Sequence, residues 1–432
     1  MALKLGSDRA GGARALSCSV IIVSRRGPDR LVSVLRSLAL QRTDEPFEVI
    51  VVLDGNLGGS QEVLEGWAEI EAFASFKWFK HASKGLAASR NRGAFVAQAP
   101  ILLFLDEDVV PGPDLVSSHV RRHRSASRIA VLGCVDPIRT EPSTYLRSRV
   151  WTDLEAANDR RASIGQPLGF RDFATVSISV RKDDFAGVGG YDHQYEVTGG
   201  DEDLGYRLRK GDVRFICAPE IRSARELTET ARTLHQATIA RAHGDVRLAR
   251  KYPELIAGLR LGKTEGRRAR RAAGLAMFAP WLGFLAVLAR RGLMVAYERL
   301  GLRGRWQRSL DFLVTYAYWR GLKGTLGSLK AVRALRTYAE ESSKPRIEIT
   351  EALAPQLEAM SFDTKIRLTI AYAGEPVGSC ELDPESPEPL LPRLVHEISS
   401  NPPVLLLMRL FGGTPGAEFG ELLLKGSSLD RG

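Results

Sequence analysis

The chain has 432 residues, enough for two or three domains, and its apolar fraction of 44% and charged fraction of 26% are those of a globular protein. Its net charge is +10, and residues 261–310 hold 11 Lys and Arg against two Glu, so most of the excess lies in one segment. This distribution excludes a nucleic-acid-binding protein with basic surfaces throughout and indicates one local anionic partner. The four cysteines are far apart and form no metal-binding motif, and residues 1–16 lack the apolar core of a signal peptide. We therefore expect reduced thiols and a cytoplasmic location.

The first half of the chain alternates between strand and helix patterns. Predicted strands cover residues 18–24, 47–53, 76–79, 101–105, 129–136 and 173–180. Predicted helices begin at Pro28 and cover residues 60–72 and 82–99, whereas residues 141–167 show no clear period. This order predicts an α/β fold with a mostly parallel sheet and flanking helices, and the strand ends that bind ligands should meet at one edge.

Carboxylates follow two of these strands. The apolar run from Ile101 ends in Asp106, Glu107 and Asp108, and the strand 47–53 ends in Asp54. Adjacent acids repel one another unless a cation lies between them, and hard divalent ions such as Mg²⁺ or Mn²⁺ prefer carboxylate oxygens and can also hold a diphosphate. The alternative is that the acids only end a buried strand.

Two basic segments lie near these strand ends. The loop after the first strand contains Ser24, Arg25 and Arg26, which could reach phosphates, although it lacks the glycine pattern of a dinucleotide fold or P-loop. Lys84 and Arg90-Asn91 precede the acidic strand and could contact a nucleoside or phosphate, or lie on an exposed helix face.

A second acidic motif occurs at residues 199–208, GGDEDLGYRL, where Asp201, Glu202 and Asp203 open a predicted helix. One of these carboxylates could take the proton from an attacking hydroxyl. Acids in a first helical turn also stabilise the helix dipole, so helix capping is the alternative.

Four blocks together resemble the family 2 glycosyltransferases, which are inverting enzymes of the GT-A fold. The blocks are SVIIVSRR with FEVIVVLDG, then KGLAASRNRGA, then ILLFLDEDVVP, then FAGVGGYD followed by GGDEDLGYRLRKG. The resemblance covers residues 17 to 220, about half of the chain. It implies a nucleotide-sugar donor, with UDP as the default nucleotide, and single-displacement transfer to a hydroxyl.

The resemblance also implies residue roles. Asp106 and Asp108 would hold Mn²⁺ or Mg²⁺ on the donor diphosphate, and Asp54 would contact the base. Asp201 would be the catalytic base, with Glu202 as the alternate. The implied donor-binding residues are Ser24, Arg25, Asp54, Lys84, Arg90, Asn91 and Asp106. Many family members place a metal-binding His after the strand that here ends near Pro219, but no His occurs there. The third ligand is therefore His235, His243 or none.

The basic segment contains an uncharged stretch, residues 272–289, with arginines on both sides. Eighteen residues are at the lower limit for a membrane span, and Pro280 interrupts the stretch. We expect it to lie at an anionic membrane surface, on the inner face of the cell membrane, while a span, a re-entrant segment or a buried hairpin are the alternatives. The acceptor would then be a glycan or a lipid-linked molecule.

Four regions are expected: a leader (1–16), the GT-A domain (17–224), a helical membrane-associating region (225–340) and a small β-containing accessory domain (345–432). The competing functions are weaker. A sugar nucleotidyltransferase would need a glycine-rich loop after the first strand, and a processive synthase would need several spans and a QxxRW motif. A non-catalytic glycan-binding or scaffolding protein on the same fold is the remaining alternative, and donor binding would decide against it.

Overall fold

The computed structural model describes residues 4–5, 15–25, 27–55, 58–70, 72–81, 85–139, 144–163, 168–174, 176–195, 198–226, 230–262, 267–342, 346–348, 356, 366–372, 375–382, 391, 394–396 and 398. Lys84 and Arg26, most of the predicted leader and most of the predicted accessory domain lie outside these residues.

Twelve strands and twelve helices are present in the described residues. The strands are β1 (Lys4–Leu5), β2 (Cys18–Ser24), β3 (Phe47–Asp54), β4 (Ser75–His81), β5 (Ile101–Asp106), β6 (Val109–Pro111), β7 (Ile129–Pro137), β8 (Ser177–Arg181), β9 (Arg214–Arg225), β10 (Arg346–Glu348), β11 (Ile366–Tyr372) and β12 (Glu375–Leu382). The helices are α1 (Pro28–Ala39), α2 (Ser60–Glu69), α3 (Leu86–Val96), α4 (Leu115–Ser125), α5 (Tyr145–Ala162), α6 (Lys182–Gly187), α7 (Gly200–Lys210), α8 (Ala231–Lys251), α9 (Arg267–Phe278), α10 (Pro280–Arg299), α11 (Arg303–Leu326) and α12 (Leu329–Ser342).

The main sheet has nine strands in the order β1-β4-β3-β2-β5-β8-β7-β9-β6. The strands β4, β3, β2 and β5 are parallel to one another, and so are β7 and β9. However, β8 runs antiparallel between β5 and β7, and β1 and β6 pair antiparallel at the two edges. Because β5 and β7 are both antiparallel to β8, six of the nine strands run in one direction, and the sheet is mostly parallel as expected. The three strands that run the other way, β1, β6 and β8, make it a mixed sheet, which the sequence did not predict. An apolar strand pattern does not encode strand direction. The direction of β8 depends on the path of the connection between β7 and β8, which contains α5.

Helices cover both faces of the sheet. One core cluster joins the buried sides of β2, β3 and β5 to Leu31 and Leu35 of α1 and to Leu115 of α4. The other cluster joins the opposite sides of these strands to Ala94 of α3 and Leu204 of α7. Apolar side chains on both faces explain why the central strands are continuous apolar runs.

Two segments differ from the sequence expectations. The stretch without a clear period contains α5, whose N-terminus is capped by the Thr144 side chain, which accepts a hydrogen bond from the backbone N–H of Arg147 at 3.2 Å. This helix is mostly polar and buries few side chains, Trp151 among them, so its period is weak in the sequence. The uncharged stretch 272–289 is divided between α9 and α10 at Ala279 because Pro280 begins a new helix. Among the described helices, none has the length and apolar character needed to cross a bilayer.

The chain divides into two compact units, residues 1–251 with 258–332, and residues 252–257 with 333–432. In the second unit, β11 and β12 form an antiparallel hairpin, and β10 pairs parallel to β11.

Candidate active site

The candidate site lies where the parallel strands β3, β2 and β5 end. In their register Val23 is opposite Asp106, and Ser24 is opposite Leu53, the neighbour of Asp54. The carboxyl ends of parallel strands meet at one edge, so residues from three distant segments lie together there. The structure thus brings Ser24, Asp54 and Asp106 to one side of the sheet.

Arg90, on α3, joins the two acidic motifs. Its Nη2–H donates to Asp106 Oδ1 at 3.0 Å, and its Nη1–H donates to Asp201 Oδ1 at 3.1 Å. The guanidinium is buried, which by itself disfavours its charge, but the carboxylates of Asp201 and Asp106 raise the pKa of Arg90 above its ordinary value. Burial also raises the pKa of Asp106, and Arg90 and Arg225 oppose that rise. The site is therefore a network of mutually dependent charges.

The three acids after β5 have three different environments. Glu107 is buried and accepts hydrogen bonds from Ser24 Oγ at 2.7 Å and from the backbone N–H of Arg25 at 3.1 Å, so it fixes the loop after β2. Asp108 Oδ2 accepts from Arg30 Nη1–H at 3.2 Å and from Arg225 Nη2–H at 3.0 Å. Asp106, whose side chain is 27% exposed, is the most accessible of these acids.

Asp54 lies deeper than the other acids. Its side chain has 0% exposure, and Arg25 Nε is 3.2 Å from Asp54 Oδ2. Its Oδ1 has no hydrogen-bond partner among the described residues. A buried carboxylate oxygen without a donor is energetically costly, so this atom is suited to accept a hydrogen bond from a ligand. Arg25 itself is 45% exposed and can move with a ligand.

Asn91 does not point its amide at the acids. Its Nδ2–H donates to the backbone carbonyl of Tyr191 at 2.7 Å, and its Oδ1 accepts from the Tyr191 N–H at 2.8 Å. Gly190 precedes this contact with φ of 65°, and a Cβ there would come within 2.8 Å of Asn91 Oδ1. Asn91 therefore attaches α3 to the glycine-rich loop before α7, which explains the glycines of that loop.

A cavity of about 380 Å³ opens beside this network. Its lining includes Arg90 from α3, Asp106 from the end of β5, and Asp201 and Glu202 from α7. Glu202 is buried and pairs with Arg241 Nη1 at 2.5 Å. Burial raises the pKa of Glu202, and the charge of Arg241 opposes that rise. Asp201 is the more accessible of the two, because its side chain is 29% exposed and that of Glu202 is 9% exposed.

Several arginines of the site were missed by sequence reasoning. Arg225 ends β9 and lies against Asp108, whereas Arg241 comes from α8, beyond the segment of the resemblance. Arg161 and Arg171 also line the cavity. Their only sequence signal was an abundance of arginine, which does not say which of them face a cavity.

The acidic side chains of the site meet the ligand requirements of a hard divalent metal ion only in part. Asp106 and Asp108 supply carboxylate oxygens, the ligand type that Mg²⁺ and Mn²⁺ prefer, and Asp106 faces the cavity. Within the residues that the structure describes, no group of three or more His, Cys, Asp and Glu side chains could hold a metal. His235 and His243 line two other cavities. The protein would therefore supply two carboxylates, and the donor's phosphates and water the remaining ligands.

Part of the chain is similar in sequence to known glycosyltransferases. Residues 19–185 match the family described as Glycosyl transferase family 2. Over 270 residues the chain is 29% identical to validoxylamine A glucosyltransferase of Streptomyces hygroscopicus subsp. limoneus, covering 55% of this chain and 57% of that protein. It is 34% identical over 118 residues to the uncharacterized glycosyltransferase YfnE of Bacillus subtilis (strain 168), covering 27% of this chain and 30% of that protein.

Among solved structures, the mannosyltransferase PcManGT from Pyrobaculum calidifontis, in complex with GDP-Man and Mn²⁺, is similar with a TM-score of 0.45 and 17% identity. The similarity covers 71% of this chain and 87% of that one. The chain spans 57% of the length of the first glucosyltransferase relative. Residues 19–185 are therefore similar to glycosyltransferase family 2, and the relatives that share sequence with this chain are themselves named glycosyltransferases.

Proposed function

We propose that this protein transfers a sugar from a nucleoside-diphosphate donor, a UDP-sugar, to a hydroxyl of a glycan or lipid-linked acceptor with inversion at the anomeric carbon. The observation that carries the proposal is the position of Arg90, which holds Asp106 and Asp201 at one cavity. A donor-side acid and an acceptor-side acid at the same cavity are what a single displacement requires. The two relatives named validoxylamine A glucosyltransferase support a hexosyl group as the transferred sugar.

The donor would bind along the ends of β2, β3 and β5. Asp54, with its unused oxygen, would accept a hydrogen bond from the base, and Ser24 and Arg25 would border the nucleoside and its phosphates. Lys84 and Arg90 would add positive charge near the diphosphate. Asn91 would act by holding the loop at Tyr191. Asp106 and Asp108 would hold Mn²⁺ or Mg²⁺, which when bound supplies positive charge to the departing diphosphate.

The acceptor hydroxyl would be activated by a carboxylate of α7. Asp201 is our proposed base because it is the more exposed of the two acids and Glu202 is paired to Arg241. As the proton passes to Asp201, the acceptor oxygen bonds to the anomeric carbon and the bond from that carbon to the diphosphate oxygen breaks. The nucleoside diphosphate leaves, the configuration inverts, and no covalent enzyme intermediate forms.

We also propose that α10 rests on the inner, anionic face of the cell membrane. Its exposed apolar side chains include Trp281 at 66% and Leu285 at 53%, and Arg290 and Arg291 follow in the same helix. A helix that exposes apolar side chains next to arginines is suited to the lipid–water interface of an anionic membrane. A peripheral location would bring a lipid-linked acceptor to the enzyme.

Donor binding and turnover would test the proposed activity. The protein would be incubated with a panel of nucleotide sugars in Mn²⁺, Mg²⁺ or EDTA, beside Asp108→Ala and Asp201→Asn. We expect the protein to bind the donor only with a metal ion, and Asp108→Ala should abolish this binding. Asp201→Asn should abolish turnover but keep donor binding. If no nucleotide sugar bound under any metal condition, the enzymatic proposal would be wrong and a glycan-binding or scaffolding role would replace it.

A further inference from the structure

A second cavity, of about 510 Å³, lies between α8, α10 and α11 and has a cationic side. Arg232, Arg291 and Arg320 line it, one from each helix, and no Asp or Glu is among its lining residues. The Nε of Arg291 is buried and has no hydrogen-bond partner among the described residues. Burial, together with the charges of Arg291 and Arg320, lowers the pKa of His235, which also lines this cavity. The cavity therefore has a concentrated positive charge that the described chain does not neutralise.

Another part of the lining of this cavity is apolar. Phe284 and Leu288 line it and remain 59% and 49% exposed. They continue onto the free side of α10, where Trp281 and Leu285 are also exposed. Adjacent apolar side chains on a free helix face favour removal from water. One ligand that contacts both sides must carry an anionic group attached to an apolar chain.

Close packing fixes α10 in this position. A Cβ at Gly283 would lie 2.3 Å from the ring of Tyr316, so this ring of α11 packs directly on the backbone of α10. The Tyr316 hydroxyl donates to the Pro280 carbonyl at 3.2 Å, and Arg290 lies 4.2 Å from the centre of the Phe312 ring. Because the buried side of α10 is held by α11, the exposed apolar side is a stable surface of the described fold.

We infer that this cavity binds the phosphate headgroup of an anionic membrane phospholipid, whose acyl chains lie along Phe284 and Leu288. Arg guanidinium groups donate paired hydrogen bonds to phosphate, and three of them, from separate helices, line this one cavity. A free phosphate would use only the cationic side and leave the apolar side in water. The inference rests on the proposed membrane association and adds a defined headgroup site to it, separate from the catalytic cavity.

Vesicle partitioning of the full chain tests this site without requiring a donor or turnover. Binding would be measured on phosphatidylcholine vesicles with and without phosphatidylglycerol, for wild type, Arg291→Gln and Arg320→Gln. The matched control is Arg290→Gln, which removes the same charge from the same helix but lies outside the cavity lining. Each surface arginine strengthens binding to an anionic membrane about fivefold, so Arg290→Gln should weaken vesicle binding by about that factor. Each cavity variant should weaken vesicle binding at least about tenfold more than this control does.

Two further measurements distinguish a phospholipid headgroup site from a site for free phosphate. Phe284→Ser should weaken binding to phosphatidylglycerol vesicles, whereas inorganic phosphate at the same concentration as the lipid phosphate should not displace the protein. Equal losses for all three arginine variants, or full displacement by inorganic phosphate, would overturn the headgroup site. Unchanged nucleotide-sugar binding and circular dichroism in each variant would show that a loss comes from this surface and not from failure of the fold or of the proposed catalytic function.

Discussion

Asp106 and Asp201, one at the end of a strand and one at the start of a helix, accept hydrogen bonds from the two terminal nitrogens of Arg90. This shared partner sets the distance between the proposed donor side and the proposed acceptor side of the site. It also means that a change in the charge of either acid alters the other through a single guanidinium.

Arg90→Gln should destabilise the fold as well as the activity. Removal of the buried cation leaves Asp106 and Asp201 close together without their shared partner, and loss of one member of a buried ion pair costs about 3 kcal/mol. Urea unfolding would measure the loss. Arg92→Gln is the control, because Arg92 lies on the same helix and stacks on Phe79 and Phe95. Equal stabilities for the two variants would contradict a central role of Arg90.

Asp201→Asn and Glu202→Gln should separate the catalytic base from its neighbour. General base catalysis contributes about a thousandfold, so the Asp201 variant should lose about that factor in kcat and keep its donor affinity. Glu202→Gln should change kcat less, because its carboxylate pairs with Arg241. Initial rates with a saturating donor would be compared. A larger loss in the Glu202 variant would assign the base to Glu202.

The pH dependence of stability should identify the environment of Glu202. Burial raises its folded-state pKa above the ordinary value of 4.5, so between these two values the folded protein binds the proton more tightly than the unfolded chain does. This contribution is complete below pH 4.5 and is lost as the pH rises through the folded-state pKa. The free energy of unfolding of Glu202→Gln, relative to wild type, should therefore increase with pH across that window.

Denaturant titrations of both proteins at a series of pH values would follow this difference. Asp106 also has a raised pKa, but it is present in both proteins and its contribution largely cancels. A difference that stays constant, or falls, as the pH rises above 4.5 would contradict a buried Glu202.

Gly93→Ala should destabilise the protein, although alanine is the better helix former. A Cβ at this position would lie 2.5 Å from Ile21 Cγ2, where α3 contacts the sheet, and overpacking of this kind costs about 1–3 kcal/mol. Gly66→Ala, in α2, is the matched control because a Cβ there meets nothing within 4 Å. The free energy of unfolding of this variant should rise by about 0.5 kcal/mol. Thermal or urea unfolding would measure both.

Because α3 also carries Arg90, the Gly93 variant should lose activity in proportion to the displacement of that helix. A stable Gly93→Ala protein with full activity would indicate that α3 can move away from the sheet without disturbing the site.

The strands of the sheet and the acids at their ends could be predicted from the amino-acid sequence. Apolar runs that stop at Asp54 and Asp106 predict buried strands and a shared edge, because parallel strand ends must meet there. Pro280 likewise marks the break between α9 and α10, since proline begins a helix but disrupts its interior. These features depend on local backbone and solvation preferences, which are readable along the chain.

Three features could be seen only in the folded structure. They are the direction of each strand, the partner of each charged side chain and the face that each helix buries. The antiparallel entry of β8, the pairing of Glu202 with Arg241 and the attachment of Asn91 to Tyr191 join residues far apart in sequence. The same holds for the three arginines that meet at the cavity beside α10. Such contacts are set by how helices and strands pack. The sequence around an arginine does not show whether a carboxylate or a cavity lies beside it in the folded protein.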